Sequence, residues 1–477
     1  MSAINIVRPR LNVLDPEQIE QVHEYSLRIL STTGVRVDSA RAREILIRAA
    51  GTDASDGDRV HIPRELVEWA LATAPSTVQV YDRLGNPAFH LPGETRFGIG
   101  VTALYYQEPE SGDVVPFARQ HMADMVRLGH ALPSFDAVST VGIIQDVPPQ
   151  LSDLYAALEM SANTTKPLVI LISDEHAFPA ALDLLEQLQG DLASRPSIIP
   201  YLNPITPLVI NQGTSDKMML SIERGLPFIY SNYGMAGAST PITPAGTLAL
   251  LNAELLAGLT LSQLIKEGAP IILGILPAFF DMKGMGNFYD PISYVLDLAC
   301  AELMAHYGLP HSGTSGSGMG WGADLIAVGH QWLNHVTSCL GKVGLVPFVG
   351  DVLTSMAFSP TVVVYADEVI AQARLIAAGF NLDDDAVSVD EIAQTGPGGS
   401  FLTSGLTLKH FRQAYYESGI FPKLTLDEWQ AQKRPQADDR LKRYTRRLLE
   451  DSRPPEDHED LLARGESLIQ NLVRRRR

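Results

Sequence analysis

The chain has 477 residues, 45% of them hydrophobic, with 37 Lys+Arg against 55 Asp+Glu and a formal net charge of -18. An excess of acid on this scale repels nucleic acid and anionic membranes and argues against both as partners. The length allows about three small domains or one large barrel, and the two cysteines, Cys300 and Cys339, form no CxxC and read as buried thiols.

The first ten residues hold no apolar targeting segment, and no uninterrupted apolar run approaches the roughly 18 residues a membrane helix needs. A cytoplasmic protein is expected. Residues 1–75 read as helical: Asp15-Pro16-Glu17 opens a helix that ends near Gly34, a second runs from Ser39 to Ala50 and stops at Gly51, and Ile62-Pro63 starts a third. Alternating segments with turn residues follow, among them Val78-Gln-Val-Tyr81, Phe97-Gly-Ile-Gly-Val101 and Glu110-Ser-Gly-Asp113, and these predict β-hairpins. Residues 1–116 are therefore expected to form an N-terminal helical and hairpin cap.

From residue 117 strands and helices alternate. Strands are predicted at 135–144, 168–173, 198–202, 227–231, 271–275, 310–314 and 347–350, with an eighth near 387–394. The unit around 227–275 is the clearest. Pro227-Phe-Ile-Tyr230 is short and apolar, Thr243-Pro244 supplies an N-cap and a first helical residue, and a leucine-rich helix then runs to Gly268. Seven or eight such units, with no phosphate-binding glycine fingerprint after the first strand, predict an α/β fold: a (β/α)8 TIM barrel over residues 117–411. Residues 412–477 are charge-dense and predict a C-terminal helical extension.

A barrel keeps its chemistry at the C-terminal ends of its strands. Those ends supply Asp174, Asn203, Ser231, Asn232, Tyr233, Ser312, Thr314, Ser315 and Asp351, which are mostly neutral polar groups. No lysine stands at any of them, which argues against Schiff-base chemistry. His330 and His335 lie five residues apart, the wrong spacing for one helix face, and no H-E-x-x-H occurs, so no protein-bound metal is expected. Gly318-x-Gly320-x-x-Ala323 imitates a dinucleotide fingerprint but lacks the acidic residue at the end of a following strand. Glu254 and the pair Asp367-Glu368 fall in helical stretches and read as structural hydrogen-bonding or salt-bridging groups. Tyr105, Tyr233 and Trp321 sit among loop residues, where a cage of rings holds a quaternary ammonium by cation–π attraction.

The sequence resembles the trimethylamine:corrinoid methyltransferase superfamily. The resemblance rests on Gly237-Ala-Ser-Thr-Pro-Ile-Thr-Pro-Ala-Gly-Thr-Leu248, Asn252-Ala-Glu-Leu-Leu-Ala-Gly258, Gly268-Ala-Pro270, His306-Tyr-Gly-Leu-Pro310, Asp367-Glu368 and Gly396-Pro-Gly-Gly-Ser-Phe-Leu402, with Phe97-Gly-Ile-Gly100 and Glu110-Ser-Gly-Asp113 earlier in the chain. It implies a TIM-barrel enzyme that passes a methyl group from an amine to the cobalt of a corrinoid held by a separate small protein. The corrinoid carriers' D-x-H-x-x-G signature is missing; Asp174-Glu-His176-Ala-Phe-Pro179 ends in proline, so the cofactor is expected to visit with its partner rather than be bound tightly here.

Two departures sharpen the resemblance. The founding members carry pyrrolysine in the region matching 312–321, whereas this chain runs through it with standard residues, as does the branch that includes a glycine betaine methyltransferase. The family's histidine-containing run after Gly-Pro-Gly-Gly reads Thr403-Ser-Gly-Leu-Thr407 here. Expulsion of a neutral amine from a quaternary ammonium needs orientation and exclusion of water more than acid–base machinery, which suits the lysine-free strand ends. On this reading Tyr233, Trp321 and Tyr105 hold the ammonium, Asn203, Asn232, Ser315 and His330 orient the rest of the substrate, and Asp351 supplies the counter-charge. Asp351 and His330 are the expected catalytic pair. A homo-oligomer is expected, and a non-catalytic sensor of quaternary amines is the alternative.

Overall fold

The computed structural model describes residues 5–313 and 318–476. Among these, seven parallel strands build one curled sheet: Arg96–Ile99, Ala137–Ser139, Leu168–Ile170, Ile198–Leu202, Phe228–Ala236, Ile271–Asp281 and Leu345–Val349. The registers Ala137↔Gly98, Val138↔Leu168, Leu168↔Ile198, Tyr201↔Ile229, Phe228↔Ile271 and Val346↔Phe97 run round the sheet in one direction. Its two open edges, the sixth strand at Ile271–Asp281 and the last at Leu345–Val349, are joined through single parallel bridges from His311 to Leu273 and from Ser312 to Leu345. This two-residue segment is the seventh strand, and Leu345–Val349 is the eighth.

Each strand is followed by a covering helix, in order Arg119–Ala131, Pro149–Asn163, Phe178–Gln189, Gln212–Glu223, Pro244–Ile265, Pro291–His306, Leu325–Leu340 and Pro360–Ala378. Strands such as Ile198–Leu202 and Leu345–Val349 are buried at every residue, because helices cover one face and the barrel interior the other. Proline stands in the first turn of five of these covering helices, at Pro149, Pro179, Pro244, Pro291 and Pro360, where its missing N–H breaks no helical bond. Helix Pro244–Ile265 is long and apolar enough to cross a membrane by composition, yet it lies inside the protein: Ser26 and Tyr307 meet its Asn252 Nδ2 at 2.9 and 3.0 Å.

The sheet differs from the sequence expectation at two places. Its first strand, Arg96–Ile99, lies within the segment 1–116 expected to be cap and was expected to be a hairpin. Gly98 and Gly100 look like turn residues, but they are glycines because a neighbouring strand passes too close for a side chain: a Cβ on Gly98 would sit 2.9 Å from the Pro347 carbonyl oxygen. Phe97 and Ile99 face outward into the helix layer. Conversely, the eighth strand expected near 387–394 is helix Val389–Thr395, where Asp390 and Glu391 in the first turn favour the helix N-terminus.

The flanking segments close the barrel from outside. Helices Pro16–Thr32, Ala40–Ala50 and Arg64–Thr73 pack on helix Pro244–Ile265. Hairpin Val78–Tyr81 and Pro87–Leu91 presents Val78, Val80, Phe89 and Leu91 to the barrel interior at Val169, Ile199, Ile229 and Ile272, plugging its N-terminal end. Helices Ala437–Asp451 and His458–Arg476 lie across the outer layer, tied down by Arg83, whose guanidinium donates to both Asp457 oxygens at 2.5 and 2.8 Å.

Closure at the seventh strand depends on Gly274. A Cβ there would lie 1.6 Å from the Ser312 carbonyl oxygen, a backbone atom that cannot swing aside. Gly274→Ala is therefore expected to destabilise the protein by about 1 to 3 kcal/mol or more, read as a lower thermal midpoint and a smaller soluble yield than Gly286→Ala, whose added Cβ meets nothing within 4 Å.

Candidate active site

Alternation along the strands decides which side chains reach the interior. On the fifth strand Phe228 and Tyr230 pack outward against the helix layer while Ile229 belongs to the interior cluster, so Ser231 and Tyr233 share the inner face. On the fourth, Ile199 and Tyr201 face inward. The Tyr201 ring meets Phe348 edge-on at 4.9 Å, and its hydroxyl lies beside Ser231 and Asn203. The long sixth strand turns back through Gly286–Phe288, which brings Asn287 to the Tyr233 hydroxyl and Tyr289 against Tyr201, Tyr233 and Asp351. Tyr294, on the helix after it, also faces Asp351 and meets His330 Nδ1 at 2.7 Å.

Two buried carboxylates complete the cluster. Asp351 follows the eighth strand and accepts a hydrogen bond from the Ser355 hydroxyl, which also meets Tyr289. Asp297, on helix Pro291–His306, lies over Gly313, where a Cβ would sit 2.7 Å from both carboxylate oxygens. Burial above all pushes the phenols of Tyr201, Tyr289 and Tyr294 well above their usual range, Asp351 adding to it at Tyr294, so these rings stay neutral. Burial lowers the pKa of His330 and favours its neutral form.

The structure brings some of the expected residues together and separates others. Tyr233 and Asp351 stand in the cluster, His330 touches its edge through Tyr294, and Asn203 lies at the mouth, its amide donating to the Ser231 carbonyl at 2.8 Å. Tyr105 is on the rim, in strand Tyr105–Gln107 beside Ala357–Phe358. Asn232 points the other way. As the neighbour of two inward residues it faces the helix layer, fully buried, and donates to the Leu251 carbonyl at 2.9 Å and to Glu254 at 2.8 Å. Trp321 also stands elsewhere: it is 73% exposed and lines a separate cavity of about 850 Å³ with Tyr365, Phe421 and Leu441, between the first loop and the C-terminal helices. Ser315 and Thr314 lie outside the described residues.

Tyr201, Tyr289, Tyr294 and Phe348, with the polar neighbours Asn287, Asp297 and Ser355, are residues that sequence reasoning missed. Strand parity could have found Tyr201, two residues before Asn203. No local signal marks Tyr289, which reaches the mouth only because the sixth strand folds back on itself.

The family profile described as "Trimethylamine methyltransferase (MTTB)" matches residues 1–477. The chain is 26% identical over 434 residues to the glycine betaine methyltransferase of Desulfitobacterium hafniense (strain Y51), covering 89% of this chain and 90% of that one. It is 26% identical over 424 residues to a trimethylamine methyltransferase of Desulfitobacterium hafniense (strain DSM 10664 / DCB-2), covering 87% and 84%. Among solved structures, the Methanosarcina barkeri monomethylamine methyltransferase superposes with a TM-score of 0.53 at 10% identity, over 94% of this chain and 89% of that one, a likeness of fold.

Behind the site, Glu254 braces the loop after the fourth strand. It accepts from the Thr206 hydroxyl, the Leu208 backbone N–H and Asn232, yet burial raises its pKa from 4.5 to about 7. Between those two values the folded carboxyl keeps a proton that the unfolded chain has released, so its contribution is full below pH 4.5 and is lost as pH rises to about 7. Glu254→Gln is expected to flatten that fall, worth a few kcal/mol, in urea midpoints compared at pH 5 and pH 8.

Proposed function

Because the chain belongs to the trimethylamine methyltransferase family, we propose that it is an amine methyltransferase that moves a methyl group from a quaternary or tertiary methylated amine, glycine betaine among the candidates, to the corrinoid of a separate partner protein. The observation that carries this reading is the ring cluster at the barrel mouth: Tyr201, Tyr233 and Tyr289, with neutral phenols, beside the carboxylate of Asp351. Rings and a carboxylate attract an ammonium group, each ring by about 0.5 to 2 kcal/mol.

Such a site acts by holding the cation and aiming one methyl group out of the barrel. A quaternary nitrogen already bears its positive charge, so it departs as a neutral amine and asks no proton of the protein. Tyr201, Phe348 and the apolar layer beneath them close the inner side to water, so the mouth is the open approach. When bound, a partner-held corrinoid supplies reduced cobalt as the methyl acceptor, and the C–N bonding pair stays on nitrogen. Tyr294 and His330 then orient the far end of the substrate, burial favouring the neutral form of each.

The surroundings support a visiting acceptor. Loops after the first, fourth, fifth, sixth and seventh strands carry exposed apolar residues, Tyr105, Ile205, Ile242, Met282, Met285 and Trp321, on the side where the strands end. Exposed apolar groups in such number mark a surface that another protein covers. We take residues 96–378 as the catalytic barrel and the flanking segments as its coverings. Phe380, Val389, Phe401, Leu402 and Leu408, exposed on one arm, support the expected homo-oligomer, and a cytoplasmic setting suits an enzyme that needs reduced cobalt.

The reading is tested anaerobically with cobalamin reduced to Co(I) and a panel of methylated amines, following the absorbance of the methylated product. Methyl transfer from at least one amine is expected; binding of amines with transfer from none would favour the sensor. Tyr233→Leu and Tyr289→Leu are each expected to weaken amine binding by about 1 to 2 kcal/mol, roughly five- to thirtyfold in Kd. Trp321→Leu is expected to leave that Kd unchanged.

A further inference from the structure

We propose that two copies of this chain associate by exchanging arms, each laying its segment 379–415 on the open face of the other's seventh covering helix, Leu325–Leu340. The contact lies outside the reaction and does not depend on which amine is used. Helix Leu325–Leu340 is alone among the eight covering helices in holding no Asp, Glu, Lys or Arg. A helix without a charged face belongs in an interior. The fifth covering helix, Pro244–Ile265, has a single such residue, the buried Glu254, and three N-terminal helices pack on it. The seventh keeps one face open. Leu325 is 90% exposed, Leu333 is exposed too, and between them a Cβ on Gly329 would meet nothing within 4 Å. These three stand four residues apart and form one stripe, which Val336 and Leu340 continue half-buried.

The arm begins beside that face. Helix Pro360–Ala378 packs along the seventh and ends on the exposed Leu375 and Ile376. The chain then passes through Asp384–Val387, Val389–Thr395 and Gly405–His410, helices of four, seven and six residues. No residue of the described stretch 374–419 is buried. Helices this short owe their stability to packing, yet Val389, Ile392, Leu402, Leu408 and Phe411 lie open on the surface. The arm is anchored to its own chain near its ends, where Phe380–Asn381 pairs with Ile6–Val7 and the Tyr416 hydroxyl donates to Glu368 at 2.8 Å.

The accessible surface measures the cover that is missing. The chain exposes 22115 Å², whereas a compact monomer of 51.9 kDa exposes roughly 17,000 Å². The excess is several times the roughly 800 Å² that each partner buries in a standard interface. A second copy is the occupant because both halves of the contact are on this chain: an uncharged apolar stripe and, next to it, an unpacked apolar arm. A twofold contact buries both on both copies at once. Helix Pro360–Ala378 runs back from the mouth, so the arm leaves at the far end of the barrel and the mouth stays open.

The test uses the full-length protein. Sedimentation is expected to show at least two chains per particle. With Leu402 replaced by the photoreactive p-benzoylphenylalanine, in a mixture of isotope-labelled and unlabelled chains, cross-links are expected between position 402 of one copy and residues 325–340 of the other. Leu325→Glu combined with Leu333→Glu, checked for fold by circular dichroism, is expected to weaken association at least tenfold and to speed tryptic cleavage at Lys409 and Arg412 by a similar factor. Leu84→Glu, at an exposed leucine in the first hairpin, is expected to change neither. A monomer would overturn the inference. So would cross-links confined to a single chain or falling elsewhere on the second copy, and so would association that the double variant leaves unmoved.

Discussion

Closure of the sheet at its seventh strand is the constraint on which the rest depends. Among the described residues His311 and Ser312 bridge the gap between the sixth and eighth strands, with flanking backbone hydrogen bonds from Leu273 N–H to the Pro310 carbonyl and from Gly313 N–H to the Leu345 carbonyl. Two bridges hold that seam, and they form because Gly274 and Gly344 have no side chains: a Cβ on either would lie 1.6 or 2.4 Å from a carbonyl oxygen of the seventh strand. Without the seam the barrel is an open sheet, and the inward faces of the fourth and fifth strands no longer look at the eighth. Tyr201 would lose Phe348, and Tyr233 and Asp351 would no longer share a mouth.

The same economy of side chains admits the second carboxylate. Asp297 belongs to a covering helix, outside the sheet, and lies buried against Gly313, whose missing side chain leaves room for its carboxylate. Polar groups at this depth cost free energy unless hydrogen-bonded, and here the donors are hydroxyls and amides, Ser355 on Asp351 and Asn203 across Ser231. The result is a negative, neutral-walled mouth above an apolar plug.

The outward faces of the same strands do structural work of comparable weight. Asn232 and Glu254 lock the fourth loop, the fifth strand and the longest helix into one unit. Asp367 accepts from the Ser134 backbone N–H at 2.8 Å, and Glu368 accepts from the Tyr416 hydroxyl at 2.8 Å. These acids hold loops and the C-terminal arm against the barrel.

The order of strands and helices from residue 135 to 378 was legible in the sequence, because a buried parallel strand is a short apolar run and a covering helix announces itself by its cap and its leucine period. The lack of a lysine at the strand ends was legible too, because residue types are read directly from the chain. Which residues face one another was not. Asn232 and Tyr233 are adjacent in the chain and point in opposite directions, since one step along a strand turns a side chain through the sheet. Phe97-Gly-Ile-Gly100 reads as a turn until the eighth strand is seen beside it, and Tyr289 reaches the mouth through a folded-back strand, contacts set by distances between segments far apart in the chain. Sequence determines the periodicities and the residue types available; only the closed barrel decides which of them converge, because convergence is a property of the neighbours each strand acquires.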